Sequence, residues 1–145
     1  MRNLNSEPDG WALGDAAFDA VTCCVSVQYL QQPERVFAEV RRVLRPGGVC
    51  VVTFSNRMFG TKAIQAWTGN TDFGRLTLVK SYLLAAGFAE VEALTQAPAP
   101  GAGGAAPQGG LLAQLSRWVE TALAMGSSDP FFAVIGYRDF RPPGQ

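Results

Sequence analysis

The chain has 145 residues, of which 48% are hydrophobic, so it can bury one core and reads as a single domain rather than a disordered or fibrous segment. Its 12 basic and 12 acidic residues leave a net charge of +0, which gives no electrostatic case for nucleic acid or for an anionic membrane surface. It contains no histidine, which removes His-based zinc sites, Ser-His-Asp triads and Cys-His dyads together.

Residues Asn3 to Gly14 are rich in turn formers, with Pro8-Asp9-Gly10 the clearest turn, and only the first few could end a strand. Met1 is followed by a polar stretch with no apolar signal region, so the expected compartment is the cytoplasm. Phe18 to Val25 is apolar apart from Asp19 and is predicted to be a buried strand. Pro33 and Glu34 then open a helix: proline suits its first turn and the acid complements its N-terminal dipole. Val36, Phe37, Val40, Val43 and Leu44 recur at helical spacing, while Arg35, Glu39, Arg41, Arg42 and Arg45 mark its wet side.

That helix is predicted to run up to Pro46-Gly47-Gly48, where proline cannot continue it and glycine can take a C-cap's positive φ. The strand Val49 to Phe54 follows and ends in Ser55-Asn56-Arg57. Being apolar on both faces, it belongs in a parallel sheet covered by helices, where ligands sit at the carboxyl ends of strands. A short helix over Phe59 to Trp67, a longer one capped by Thr71 or Asp72 and reaching about Ala86, and a half-buried strand over Phe88 to Leu94 come next. Gln96 to Gly110 is a charge-free Gly/Pro/Ala loop, Leu111 to Met125 an amphipathic helix, Phe131 to Tyr137 the last strand, and residues 139–145 a tail.

The Gly-rich loop sits between a strand and a helix, as a phosphate cradle would. It lacks the Lys and hydroxyl residue of a P-loop, and Pro98, Pro100 and Pro107 stiffen it, so it reads as a linker or lid. Cys23, Cys24 and Cys50 lie in strand-like runs and are expected to be buried, reduced thiols. Neighbouring Cys23 and Cys24 point to opposite faces and do not chelate one ion.

Four features occur in order: Phe18-Asp19 opening a strand, Gln28-Tyr29 in the turn after it, Arg42 to Gly48 (RVLRPGG) entering the next strand, and Ala85 to Phe88 (AAGF). With the closing run DPFFAVIGYR they resemble the later part of the class I S-adenosylmethionine-dependent methyltransferases, particularly the type 11 group. The resemblance implies an α/β fold, a Rossmann-like methyltransferase half-sheet whose four strands match 4-5-7-6 of the family order 3-2-1-4-5-7-6, with the last strand antiparallel and helices flanking it. It further implies that the family's Gly-rich cofactor loop and ribose-binding acid lie upstream of the segment that Met1 opens, so the chain is expected to be N-terminally truncated. By the same resemblance Asn3 and Leu4 would contact the adenine of S-adenosyl-L-methionine, and Val25 and Ser26 would lie beside its sulfonium end. Gln28 and Tyr29 would line the substrate side, with Ser55, Asn56 and Arg57 across the neighbouring strand end.

The function implied is methyl transfer to a small-molecule substrate, with binding of the cofactor by this chain alone weak or absent. No metal, nucleic acid or membrane is expected. Phe18 to Val25 would lack its usual neighbour, and an unpaired apolar edge invites self-association. The alternative reading is a non-catalytic binding or dimerising module that uses this edge and the Leu111 to Met125 helix.

Overall fold

The computed structural model describes residues 2–96 and 131–140. Strands β1 (Phe18–Cys24), β2 (Leu44–Ser55), β3 (Glu90–Gln96) and β4 (Phe131–Tyr137) form one sheet in the order β1-β2-β4-β3. β1 and β2 are parallel, while β4 runs antiparallel to both β2 and β3. The half-sheet expected from the sequence is thus formed, and Phe131 to Tyr137 begins and ends as predicted. The Gly/Pro/Ala loop beyond Gln96, the Leu111 to Met125 helix and the tail beyond Phe140 lie outside the described residues.

Helices α1 (Pro33–Val43), α2 (Gln65–Thr68) and α3 (Asp72–Ala85) contribute to one core. On that face Cys50, Val52 and Phe54 of β2 meet Val36, Phe37 and Val40 of α1 and Val79 and Leu83 of α3. Strand alternation sends Val49 and Val51 to the opposite face, where they pack with Ile135, Tyr137 and Ala20. No described helix joins this second cluster. α3 starts where the sequence suggests: the Thr71 side chain accepts the Gly74 N–H at 3.1 Å, and Gly87 at φ +89° ends it.

Two local expectations are corrected. α1 stops at Val43, and Leu44 is already extended, pairing with Phe18. Proline disfavours helical backbone at the residue before it, so the chain leaves the helix early, and Gly47 at φ +74° turns within the β2 lead-in rather than capping α1. The helix expected over Phe59 to Trp67 shrinks to α2, because the Ile64 N–H, which a helix would give to Gly60 O, goes to Gln28 O in the turn after β1. Trp67 is nonetheless a core anchor, fully buried, edge-on to Phe54 at 5.0 Å and covered by the Arg75 guanidinium at 5.8 Å.

Candidate functional site

Beside β1, on the α1 face, lies a cleft of about 310 Å³. Val21 and Cys23 of β1 form its floor with Cys50 of β2, and Val36, Phe37 and Val40 of α1 form one wall. Asn3, Leu4, Asn5 and Trp11 form the other. The polar segment 3–15 stays against α1 because its donors and acceptors are met there. Asn5 Nδ2 donates to Tyr29 O at 3.0 Å, and Asn5 Oδ1 accepts from the Gln31 N–H at 2.9 Å. The Trp11 N–H donates to Glu39 at 2.8 Å, and Arg42 bridges Glu39, Asp15 and the carbonyls of Trp11 and Leu13. The Arg42 guanidinium holds the Glu39 carboxyl below its ordinary range, an effect opposed by desolvation and reinforced by the Trp11 N–H.

Of the residues singled out in the sequence, Asn3, Leu4, Ser26 and Tyr29 all line this one cleft. Val25 stands next to it at the end of β1 with φ +48°, a left-handed conformation that is unusual for a β-branched residue. Its N–H reaches Thr53 O at 2.8 Å, so the chain is fixed to β2 where it turns away. Cys23 Sγ and Ser26 Oγ lie 3.3 Å apart across that turn, and burial pushes the Cys23 thiol upward despite this contact. Cys50 is fully buried, as expected, whereas Cys24 is exposed because it alternates onto the open side of an edge strand.

Gln28 does not line the cleft. It is fully buried beneath the 27–29 turn, donating from Nε2 to Val25 O at 3.3 Å and accepting the Ile64 N–H on its backbone carbonyl at 3.0 Å. Tyr29 is half-buried, and its Oη accepts the Phe59 N–H at 3.1 Å. These two bonds dock the 56–64 loop onto the turn after β1. The loop's first residues carry the third predicted group: Ser55 Oγ accepts the Arg57 N–H at 3.2 Å, and Asn56 and Arg57 are exposed. Ser55, Asn56 and Arg57 therefore share the carboxyl end of the sheet with Val25 and Ser26 but lie outside the cleft lining.

The cleft lining contains no Asp, Glu, Lys or Arg among the described residues, and its polar groups are the Asn3 and Asn5 amides, Thr22, Ser26 and Tyr29. Such a surface suits a neutral, largely apolar ring with a few hydrogen-bonding edges. Asn5 and Trp11 were not anticipated. Trp11 lies in a stretch that reads only as turn, and a lone aromatic there carries no periodic signal.

Residues 6–52, spanning Trp11 of the cleft wall, β1, α1 and much of β2, match the family described as methyltransferase domain. The sheet compares well with an S-adenosylmethionine-dependent methyltransferase of Thermotoga maritima at a TM-score of 0.54 and 18% identity, over 90% of this chain and 60% of that one. The chain has the class I methyltransferase fold. A methyltransferase of Archaeoglobus fulgidus gives 0.51 at 12% identity, covering 87% of this chain and 62% of its own. Haemonchus contortus phosphoethanolamine N-methyltransferase 2, solved with S-adenosylhomocysteine and phosphomonomethylethanolamine, gives 0.50 at 14% identity over 90% and 36%. In sequence, a stretch of 37 residues is 51% identical to the human thiol S-methyltransferase TMT1B, which is 26% of this chain and 15% of that protein. The chain thus spans less than two thirds of these methyltransferases, and its β1-β2-β4-β3 sheet matches the contiguous 4-5-7-6 half of the family sheet.

Proposed function

We propose that the chain is part of a methyltransferase that uses S-adenosyl-L-methionine to methylate a small molecule, and that the cleft beside β1 receives the cofactor's adenosine. The observation that carries this reading is the convergence of Asn3, Leu4, Ser26 and Tyr29 on one cleft in a methyltransferase sheet. The apolar floor and the asparagine amides suit a purine, whose faces are apolar and whose edges hydrogen-bond. When bound, the cofactor supplies a methyl group on a sulfonium, open to in-line displacement by a nucleophile.

The chain's own contribution is placement, which is enough for a displacement of this kind and needs no imidazole. Asn3 and Leu4 bound the purine end, and Val25 and Ser26 bound the end nearer the acceptor. Because Tyr29 Oη already accepts the Phe59 N–H, its own proton is left to donate, so Tyr29 orients an acceptor group rather than deprotonating it. Ser55, Asn56 and Arg57 supply hydroxyl, amide and cation on the substrate side, Arg57 suiting an anionic group. Gln28 acts indirectly, by holding the turn that carries Tyr29.

Calorimetric titration with S-adenosylhomocysteine tests this. No carboxylate lines the described cleft to bind ribose hydroxyls, so the expected dissociation constant lies well above the micromolar range. Ser26→Trp, which would fill the cleft, should abolish what binding there is. Binding unaffected by Ser26→Trp would overturn the assignment of the cleft.

A further inference from the structure

Rows of paired residues cross the sheet on the face turned away from the cleft. One runs Thr22, Val51, Ile135, Glu92, and the next Cys24, Thr53, Ala133, Leu94. In both, the middle residues are dry and the outer ones wetter: Val51 is 5% and Ile135 6% exposed, whereas Thr22 and Cys24 are exposed and Leu94 is 53% exposed. Val49 and Tyr137 repeat the pattern between half-buried Ala20 and exposed Glu90. Side chains stand roughly perpendicular to a sheet, so only something lying over them keeps water away. The buried stripe follows β2 and β4 and is two strand spacings wide, about 10 Å, which is the diameter of one helix. Helices α1, α2 and α3 contribute to the core on the other face, and among the described hydrophobic residues only half-buried Ala20 packs against this cluster.

We propose that the segment 111–125 of this chain is the helix that covers the stripe. Composition selects it from the rest of the chain. Residues 97–110 (APAPGAGGAAPQGG), 126–130 (GSSDP) and 141–145 (RPPGQ) hold no apolar side chain larger than proline. In 111–125, Leu111, Leu115, Trp118, Val119, Ala122 and Leu123 share one helical stripe, with Arg117 opposite it. A helix of that length measures about 22 Å, enough to cross three rows that span about 13 Å.

The connection also starts and ends where this placement needs it. Gln96 pairs with Phe131, and Phe131 with Ser55, so 97–130 departs from and returns to the carboxyl end of β2. A hairpin there takes about two to five residues, so the chain makes an excursion rather than a turn. Residues 126–130 span at most about 20 Å, too little to double back along the helix, so its C-terminal end lies near Phe131 and it runs parallel to β2. That direction sets Leu111 over Val49 and Tyr137, Trp118 over Val51 and Ile135, and Leu123 toward Ala133. So placed, the helix belongs to the chain's own core. It lies on the face away from the cleft, so it neither closes over the cleft nor offers its apolar stripe to a partner.

Nuclear Overhauser contacts of the Trp118 indole in the isotope-labelled full chain test this without reference to methyl transfer. Cross-peaks are expected to the methyl groups of Val51 and Ile135. Contacts with α1 or α3 instead, an indole with no contacts to the sheet, or contacts seen only between differently labelled copies would overturn the proposal. Thiol labelling gives an independent measurement. With Cys24→Ser removing the exposed native thiol, Thr53→Cys is expected to resist alkylation. Adding Trp118→Glu should abolish that protection while Cys50, on the other face, stays unreactive. Protection at Thr53→Cys that survives Trp118→Glu assigns the cover to something else and sinks the proposal.

Discussion

Val25 offers a test in which the sign of an effect is diagnostic. An L-residue with a Cβ pays about 1–2 kcal/mol in the left-handed region, and glycine pays nothing for handedness there. Glycine instead loses about 0.5–1 kcal/mol relative to alanine through the greater freedom of its unfolded chain. At an ordinary extended position Val→Gly is therefore worse than Val→Ala. At φ +48° the order inverts, with Val25→Gly more stable than Val25→Ala by roughly 0.5–1 kcal/mol, the difference between those two terms. Both lose the burial of a side chain that is 49% exposed, about half of a valine's 1.5–3 kcal/mol, so Val25→Gly should lie near the wild type. Urea unfolding measures this as a midpoint shift at constant slope. If Val25→Ala is as stable as Val25→Gly, the strain is not there. The turn that Val25 initiates carries Ser26 and Tyr29, so Val25→Gly should also weaken ligand binding despite its stability.

Three further outcomes follow from the same geometry. Glu39 has a depressed folded pKa, so its contribution is complete above its unfolded value of about 4.3 and is lost as pH falls through the folded value; Glu39→Gln should flatten stability below about pH 4.3, measured by thermal midpoints in acid. Gly48→Ala should cost about 1–3 kcal/mol, because an added Cβ would sit 2.7 Å from the Arg45 carbonyl, whereas Gly74→Ala meets only the swinging Asn70 amide and should be neutral or stabilising in urea unfolding. Tyr29→Phe removes the acceptor of the Phe59 N–H, so amide exchange should quicken at Phe59 while Ile64, held by Gln28 O, stays protected.

The sheet was legible because each strand carries its own signal. Largely apolar runs mark β1, β2 and β4, and Gly87 followed by alternation marks β3, two residues before the strand begins. The site was legible only in part. Asn3, Leu4, Ser26 and Tyr29 converge because the polar 3–15 segment is drawn onto α1 by Glu39 and Arg42, a long-range effect no local pattern announces. The left-handed turn at Val25 had no marker, since positive φ is normally signalled by Gly or Asn. The burial of Gln28 and the shortening of the helix before Trp67 share a cause. Two backbone donors of the 56–64 loop, at Phe59 and Ile64, bind Tyr29 and Gln28 rather than their own turn. Arg75 in α3 is buried, donating to Trp67 O at 3.1 Å and to Asp72 at 2.9 Å.

We propose the cleft beside β1 as the place where this methyltransferase fold holds its cofactor. Amide chemical shifts of the labelled chain titrated with S-adenosylhomocysteine test it most directly, since they register weak binding and give its location. Dose-dependent shifts are expected at Leu4, Cys23, Ser26 and Tyr29, with β3 and the body of α3 unmoved. Shifts confined to residues away from β1, or none at millimolar ligand, would contradict it.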